Sequence, residues 1–156
     1  MEGRFPSAIL MVGDSFLIEE RLKTLFAELR SKIQGELFIQ SYPCAESPLE
    51  EILGAARTLP FLASFQVFRL RDAPCLKDKK IEIMADYLAN PSATTLLVFE
   101  APELNKDHAL VALISKSGQV TFLDVAEKRS VGSRFVREKF RRSGKTPAPG
   151  VLERRP

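Results

Sequence analysis

The chain alternates between short, densely apolar runs and longer stretches in which apolar residues return every three or four positions. Ala8-Ile9-Leu10-Met11-Val12 is apolar throughout, the pattern of a short buried strand. Gly13-Asp14-Ser15 follows as a turn whose Asp or Ser caps a helix. Ile18, Leu22, Leu25, Phe26, Leu29 and Ile33 then recur at helical spacing. Residues 37–42 predict a second strand. Ser47-Pro48-Leu49-Glu50 has the chemistry of a helix start, with Ser as cap, Pro at the first helical position and Glu at the third. Leu49, Ile52, Leu53 and Ala56 are the apolar stripe of that helix, which the pattern carries to Leu59. Residues 66–70 predict a third strand, and Ile81, Met84, Ala85 and Leu88 another helix. Residues 94–99 are almost wholly apolar, as in a central strand covered on both faces. Asn105 caps a helix that carries Leu110, Leu113 and Ile114 and ends near Gly118. Residues 119–123 are a fifth strand. Val131, Phe135, Val136 and Phe140 lie on one face of a last helix, which Gly144 terminates.

Strand and helix thus alternate five times, with short connections. That rhythm predicts an α/β fold: a doubly wound, mainly parallel five-stranded sheet with helices on both faces. A chain of 156 residues, 45% hydrophobic and 28% charged, is large enough for a buried core and has the balance of a globular protein. No apolar run approaches the ~20 residues of a membrane helix, and Met1-Glu2-Gly3-Arg4 leads into too short an apolar run for a signal peptide. A cytoplasmic protein is expected. Cys44 and Cys75 stand far apart in sequence with no other cysteine, so the spacing gives neither a metal pair nor a disulfide framework, which fits a reducing cytosol. Residues 1–143 read as one domain. Lys145-Thr146-Pro147-Ala148-Pro149-Gly150 has the composition of a linker, so residues 144–156 read as a linker and the start of a missing second domain.

Charge changes the picture at one end. Residues 1–126 carry 13 basic and 17 acidic side chains, and residues 127–156 carry 10 and 3. The overall +3 therefore combines a mildly acidic body with a basic tail. Arg134, Arg137, Lys139, Arg141 and Arg142 suit either a solvated helix face or phosphate contacts to nucleic acid.

Candidate chemistry is sparse. The turn after the first strand is where parallel α/β folds often hold phosphate. A phosphate loop needs several glycines and a lysine. Here Val12-Gly13-Asp14-Ser15-Phe16-Leu17 offers one glycine, no lysine and an acidic residue that repels phosphate. Ser143-Gly144-Lys145-Thr146 ends like such a loop, but the required earlier glycine is replaced by Lys139, and the tetrapeptide follows a helix and precedes Pro147. No nucleotide or other cofactor is expected. His108, the single histidine, sits in the first turn of a predicted helix and reads as a surface residue. Glu100, Glu103 and Asp107 cluster after the fourth strand, where α/β sites tend to lie, yet no nucleophile, base or metal set surrounds them, and a solvated loop accounts for them. Tyr42, Tyr87 and the eleven phenylalanines fall mostly at core spacing, with no aromatic-basic interleaving of a single-strand binding platform.

Leu59-Pro60-Phe61-Leu62-Ala63-Ser64 stands out instead. It sets two bulky apolar residues directly after a proline, between a helix and a strand, where connections are normally polar. Phe61 and Leu62 either plug this protein's own core or serve a partner's pocket. A connection from a helix into a parallel strand lies at the amino edge of the sheet, away from the usual ligand edge, so an exposed pair there suits a protein partner better than a cofactor.

Four blocks in this order resemble one family. Residues 8–20, with their apolar strand, Gly-acidic turn and Leu17-Ile18-Glu19 helix start, are similar to the amino-terminal domain of the delta subunit of bacterial DNA polymerase III, part of the sliding-clamp loader. So are Leu59-Pro60-Phe61-Leu62-Ala63-Ser64, the stretch 87–99 from Tyr87 to Phe99, and Leu104-Asn105-Lys106. Each motif alone is short; their order and spacing make the resemblance specific, and it spans most of the chain. It implies a fold like the ATPase domain of clamp loaders without a phosphate loop, and no ATP hydrolysis. It further implies a role in binding the ring-shaped clamp (the beta subunit) and helping to open it for loading onto primed DNA. In this reading Phe61 and Leu62 are the wedge that enters a hydrophobic pocket on the clamp, with Leu59, Pro60, Ala63 and Ser64 in support. The family often has a basic residue where this chain has Phe65, so the resemblance gives Phe65 no clamp contact. Other loader subunits would join through carboxy-terminal domains not in this sequence, and DNA would lie within the assembled complex, a nucleotidyltransferase holoenzyme. The readings from other classes are a nucleotide-binding α/β enzyme domain and a DNA-binding module acting through the basic tail.

Overall fold

Five strands form a single sheet in the order β2-β3-β4-β1-β5. They are β1 (Ala8–Val12), β2 (Glu36–Pro43), β3 (Ala63–Arg71), β4 (Thr95–Ala101) and β5 (Gln119–Phe122). Every neighbouring pair runs parallel, so the expected parallel α/β architecture is the one the chain adopts. The computed structural model describes residues 5–58 and 63–123. The last helix expected from Val131 to Phe140, the basic tail, the Gly144-Lys145-Thr146 stretch and the boundary at residue 143 lie outside them. Four helices link the strands: α1 (Ser15–Lys32), α2 (Leu49–Ala56), α3 (Lys79–Ala89) and α4 (Ala109–Ser117), with a 3₁₀ turn at Ala73–Cys75 after β3.

Strand order decides which face each helix covers. The chain leaves β1 for the far edge at β2, then steps back through β3 to β4 and on past β1 to β5. Right-handed crossovers therefore put α1 on one face and α2, α3 and α4 on the other. The packing agrees. Ile52 and Leu53 of α2, Met84 and Leu88 of α3, and Leu110 and Ile114 of α4 share one buried cluster with Leu10, Phe68, Leu70, Leu97 and Phe99. The buried residues of α1, Leu17, Ile18, Leu22 and Leu29, stand apart from that cluster. Strand β4 is buried at all seven positions, as its apolar run predicts. Edge strand β2 alternates between exposed and half-buried positions, and this puts Phe38 at 39% exposure. With Phe16 at 58% in the first turn of α1, it departs from the expectation that phenylalanines are core.

Four element ends differ from the sequence reading. Ser47 does not cap α2. Pro48 holds that position, and its carbonyl accepts from the Glu51 and Ile52 amides at 3.1 and 3.2 Å. The helix stops at Ala56 rather than running to Leu59. Likewise Asn105 does not cap α4; its Oδ1 accepts from the Asp107 N–H at 2.9 Å and closes a separate turn. His108 is the cap, with Nδ1 accepting from the Leu110 N–H at 3.0 Å. Imidazole Nδ1 lies the same number of bonds from Cα as an Asn Oδ1, so a neutral ring serves the same purpose. Strand β3 begins at Ala63, three residues before the expected start. Gly118, where α4 was expected to end, is required for space: a Cβ there would collide with the Ala8 carbonyl.

Candidate functional site

The sheet has two edges where function could sit, and they are built differently. At the carboxyl edge, strand order reverses between β1 and β4, the usual ligand crevice of such folds. The β1–α1 connection is only Gly13 and Asp14. Gly13 has φ of 152°, and its N–H donates to the Ala101 carbonyl at 2.9 Å, zipping the mouth of the crevice to β4. Asp14 Oδ2 accepts from the Phe16 N–H at 2.9 Å. An anion at this helix start would need those amides; the protein's own carboxylate holds one and adds a negative charge.

Beside it lies a second group bonded within the protein. Arg69 of β3 meets Glu100 of β4 through Nε at 2.6 Å and Nη2 at 3.0 Å, and meets Glu19 of α1 through Nη2 at 2.6 Å. The hydrogen bonds that Arg69 donates to Glu100 raise the Arg69 pKa above its ordinary value against the opposing effect of burial. Glu100 was expected in a solvated carboxylate cluster. It is instead 8% exposed and forked onto Arg69, while Glu103 and Asp107 are exposed. The cause is β4, which runs two residues further than expected and draws Glu100 into the sheet. Among the described residues no three His, Cys, Asp or Glu side chains gather as a metal site, and no helix is long and apolar enough to cross a membrane.

The amino edge holds a buried polar clamp that sequence reasoning missed. Gln66 and Thr95 are register partners on β3 and β4 and are 1% and 2% exposed. The Gln66 amide nitrogen donates to the Thr58 carbonyl at 3.0 Å, the Ala55 carbonyl at 3.1 Å and Thr95 Oγ1 at 2.9 Å. Thr95 Oγ1 donates in turn to the Ala56 carbonyl at 2.6 Å. The last carbonyls of a helix have no partner within it; these two side chains supply partners for the end of α2. Arg57, the C-cap residue of α2, extends the tie to α3. Its Nη1 donates to the Asn90 carbonyl at 2.6 Å, and its guanidinium stands 4.6 Å from the centre of the Tyr87 ring. The Tyr87 hydroxyl, whose pKa burial raises, accepts from the Ser92 N–H at 3.2 Å. An open groove of about 370 Å³ lies along the same edge, between Phe5 and Pro6 on one side and Phe65 and Pro91 on the other. The available signal was polarity in the wrong place: Gln66 and Thr95 interrupt apolar strand patterns on positions that face a core.

Of the six residues singled out by sequence, Ala63 and Ser64 are the first two of β3, half-buried, with Ser64 Oγ donating to the Glu36 carbonyl at 3.4 Å. Leu59, Pro60, Phe61 and Leu62 lie outside the described residues. Their flanks are placed: Thr58 is held by Gln66, and Ala63 pairs with Glu36 at the start of β2. Phe65 is the third residue of β3, 5% exposed, with its ring 6.3 Å from that of Phe5.

The core is a parallel five-stranded α/β sheet whose crevice groups, Asp14, Arg69 and Glu100, are bonded within the protein. The sequence pattern of the family described as DNA polymerase III, delta subunit, matches residues 10–123, and the chain belongs to that family. Two solved structures share the fold. The Bacillus subtilis DNA clamp loader delta protein (YqeN) superposes with a TM-score of 0.61 at 17% identity over 85% of this chain and 42% of that one. A DNA polymerase III gamma subunit-related protein from Thermotoga maritima gives 0.56 at 14% identity over 85% and 46%. The chain spans less than half the length of either. No curated protein is matched.

Proposed function

We propose that this chain is the clamp-binding domain of a clamp-loader delta subunit: it binds the ring-shaped sliding clamp and helps to open it for loading onto primed DNA. Family membership supports the class of protein. The observation that supports the surface is the amino edge, where Gln66, Thr95 and Arg57 hold the chain rigidly just before residues 59–62, and β3 holds it just after. A short apolar segment with both ends fixed loses little conformational entropy on binding, which is what a hot spot needs.

Phe61 and Leu62 are the wedge in this reading, seated by Leu59, Pro60, Ala63 and Ser64. Burying a Phe or Leu side chain contributes ~1.5–3 kcal/mol, so the pair accounts for a large part of a clamp interface. Opening follows from differential affinity, because the wedge fits the sprung interface of the clamp better than the closed one. The chain hydrolyses no ATP itself. It acts in the bacterial cytoplasm with the other loader subunits, with DNA held in the assembled complex.

The test is the affinity of Phe61→Ala plus Leu62→Ala for an immobilised clamp by surface plasmon resonance, with melting temperature as the folding control. The reading expects binding to weaken at least tenfold, equivalent to ~1.4 kcal/mol, with melting preserved. Unchanged affinity in a folded double variant ends the wedge assignment, and a collapse of melting temperature favours a core plug.

A further inference from the structure

The two cysteines, remote in sequence, meet at the carboxyl edge. Strands β2 and β3 end in register at Pro43 and Arg71. The next residue on the first strand, Cys44, donates its N–H to the Arg71 carbonyl at 2.9 Å. On the other, Asp72 takes a left-handed conformation at φ 61°, ψ 44° and turns the chain into the 3₁₀ turn that carries Cys75. The Cys75 N–H donates to the Asp72 carbonyl at 3.1 Å, which folds the turn back over the strand ends. Cys44 is 3% exposed within the core cluster, and Cys75 packs against that cluster half-buried. The Cys75 sulfur is near enough to the Cys44 thiol to add to the rise in its pKa.

We propose that Cys44 and Cys75 form a dithiol that a low-molecular-weight disulfide oxidises to an intrachain disulfide, with Cys75 reacting first and Cys44 closing the bond. The Cys75 thiolate attacks one sulfur of the small disulfide, whose S–S bond breaks. One small thiolate leaves, and the other half stays on Cys75 as a mixed disulfide. Cys44 then gives up its proton to solvent and attacks the Cys75 sulfur, and the second small thiolate departs. Two protein thiols become one disulfide, and one small disulfide becomes two thiols, so two electrons pass to the oxidant.

Exposure fixes the order of events, since a small disulfide reaches Cys75 while Cys44 is reached only by its neighbour. Burial sets the pace of the second step. Burial first, with the Cys75 sulfur and Asp72 adding to it, pushes the Cys44 thiol up to about 12. Thiolate is the attacking form, so closure lags behind capture at neutral pH and quickens tenfold for each unit of pH. The product staples the end of β2 to the turn after β3 and leaves the amino edge untouched.

The full chain is incubated with excess glutathione disulfide, quenched in acid at intervals and followed by intact mass and peptide mapping. A glutathione adduct on Cys75 is expected first, followed by a species two hydrogens lighter than the reduced protein with the two cysteine peptides joined. Conversion should run about tenfold faster at pH 9 than at pH 8. Cys44→Ser should stop at the Cys75 adduct, and Cys75→Ser should take up no glutathione over the same time. A Cys75 adduct that never closes in the unsubstituted chain overturns the proposal. So does capture at Cys44 in Cys75→Ser. The result in the unsubstituted chain decides the matter even where a variant folds poorly.

Discussion

At the carboxyl edge of the sheet the protein spends its polar groups on itself. Gly13 zips β1 to β4, Asp14 caps α1, and Arg69 is taken up by Glu100 and Glu19. At the amino edge polar groups are also buried, but they serve another purpose. Gln66, Thr95 and Arg57 fix the backbone on the near side of four residues, three of them apolar. In the proposed reading, the difference marks the working surface. The edge that ordinarily receives a small ligand is internally satisfied, and the opposite edge is braced as if to bear a load from outside.

Breaking the clamp at the amino edge has the largest expected effect. Gln66→Leu keeps the volume but takes the donor from the Thr58 carbonyl and from Thr95 Oγ1, and leaves the Ala55 carbonyl with the Thr58 N–H alone. It should cost about 2–4 kcal/mol of stability, read from the urea midpoint. At a temperature where the variant is still folded, affinity for the sliding clamp should fall several-fold. Thr95→Val adds less on top of Gln66→Leu than by itself, because the two side chains belong to one network. Full additivity would mean that they act independently.

The corresponding break at the carboxyl edge is smaller. Glu100→Gln leaves Arg69 with Glu19 and one amide oxygen, a loss of about 1–3 kcal/mol in a half-screened site. Replacing both partners, Arg69→Met with Glu100→Leu, should recover most of it, since removing a buried pair entirely is far cheaper than orphaning one member. Clamp affinity should not change in either variant. A parallel loss of affinity would show that the two edges are coupled.

These two sites also mark how far the sequence could be read. The sheet was legible because a parallel strand buried on both faces leaves an unbroken apolar run, as in residues 94–99, and because helical spacing in α1 and α3 is regular. The resemblance to the delta subunit was legible from four short blocks in order. Strand order was not, because nothing in an apolar run says which neighbour it takes. The Gln66–Thr95 clamp depends on that order, as does the meeting of Glu100 with Arg69 and of Cys44 with Cys75. Helix ends were misread for a local reason. Ser47 and Asn105 have the right side chains, but Pro48 and His108 occupy the cap positions in their place.

Asp14→Ala probes the closed crevice with a smaller effect. Loss of the cap on the Phe16 amide should lower stability by about 1 kcal/mol. The substitution also removes the negative charge beside that amide. If the crevice is sealed by Gly13 and by the shortness of the turn as well, ATP should still give no rise in melting temperature. A rise proportional to the logarithm of nucleotide concentration would instead mean that Asp14 alone keeps the site shut.

The last effect, absent near neutral pH, sharpens the comparison from within the carboxyl edge. Burial and the Cys75 neighbour raise the Cys44 thiol from 9.0 to about 12. The unfolded chain therefore loses this proton before the folded one does. Below pH 9 both states hold it and stability is unaffected; between pH 9 and about 12 the unfolded state is favoured progressively, by at most ~1.4 kcal/mol per pH unit. Tyr42 and Tyr87 are also raised by burial and contribute in the same direction. The measurement is thus a difference: urea midpoints of the unsubstituted chain and of Cys44→Ala, both under reducing conditions, from pH 8 to pH 10.5. The unsubstituted chain should lose stability more steeply above pH 9, and the two curves should run parallel below it. Equal slopes throughout would mean that water reaches Cys44, and that this edge is less tightly closed than its hydrogen bonds indicate.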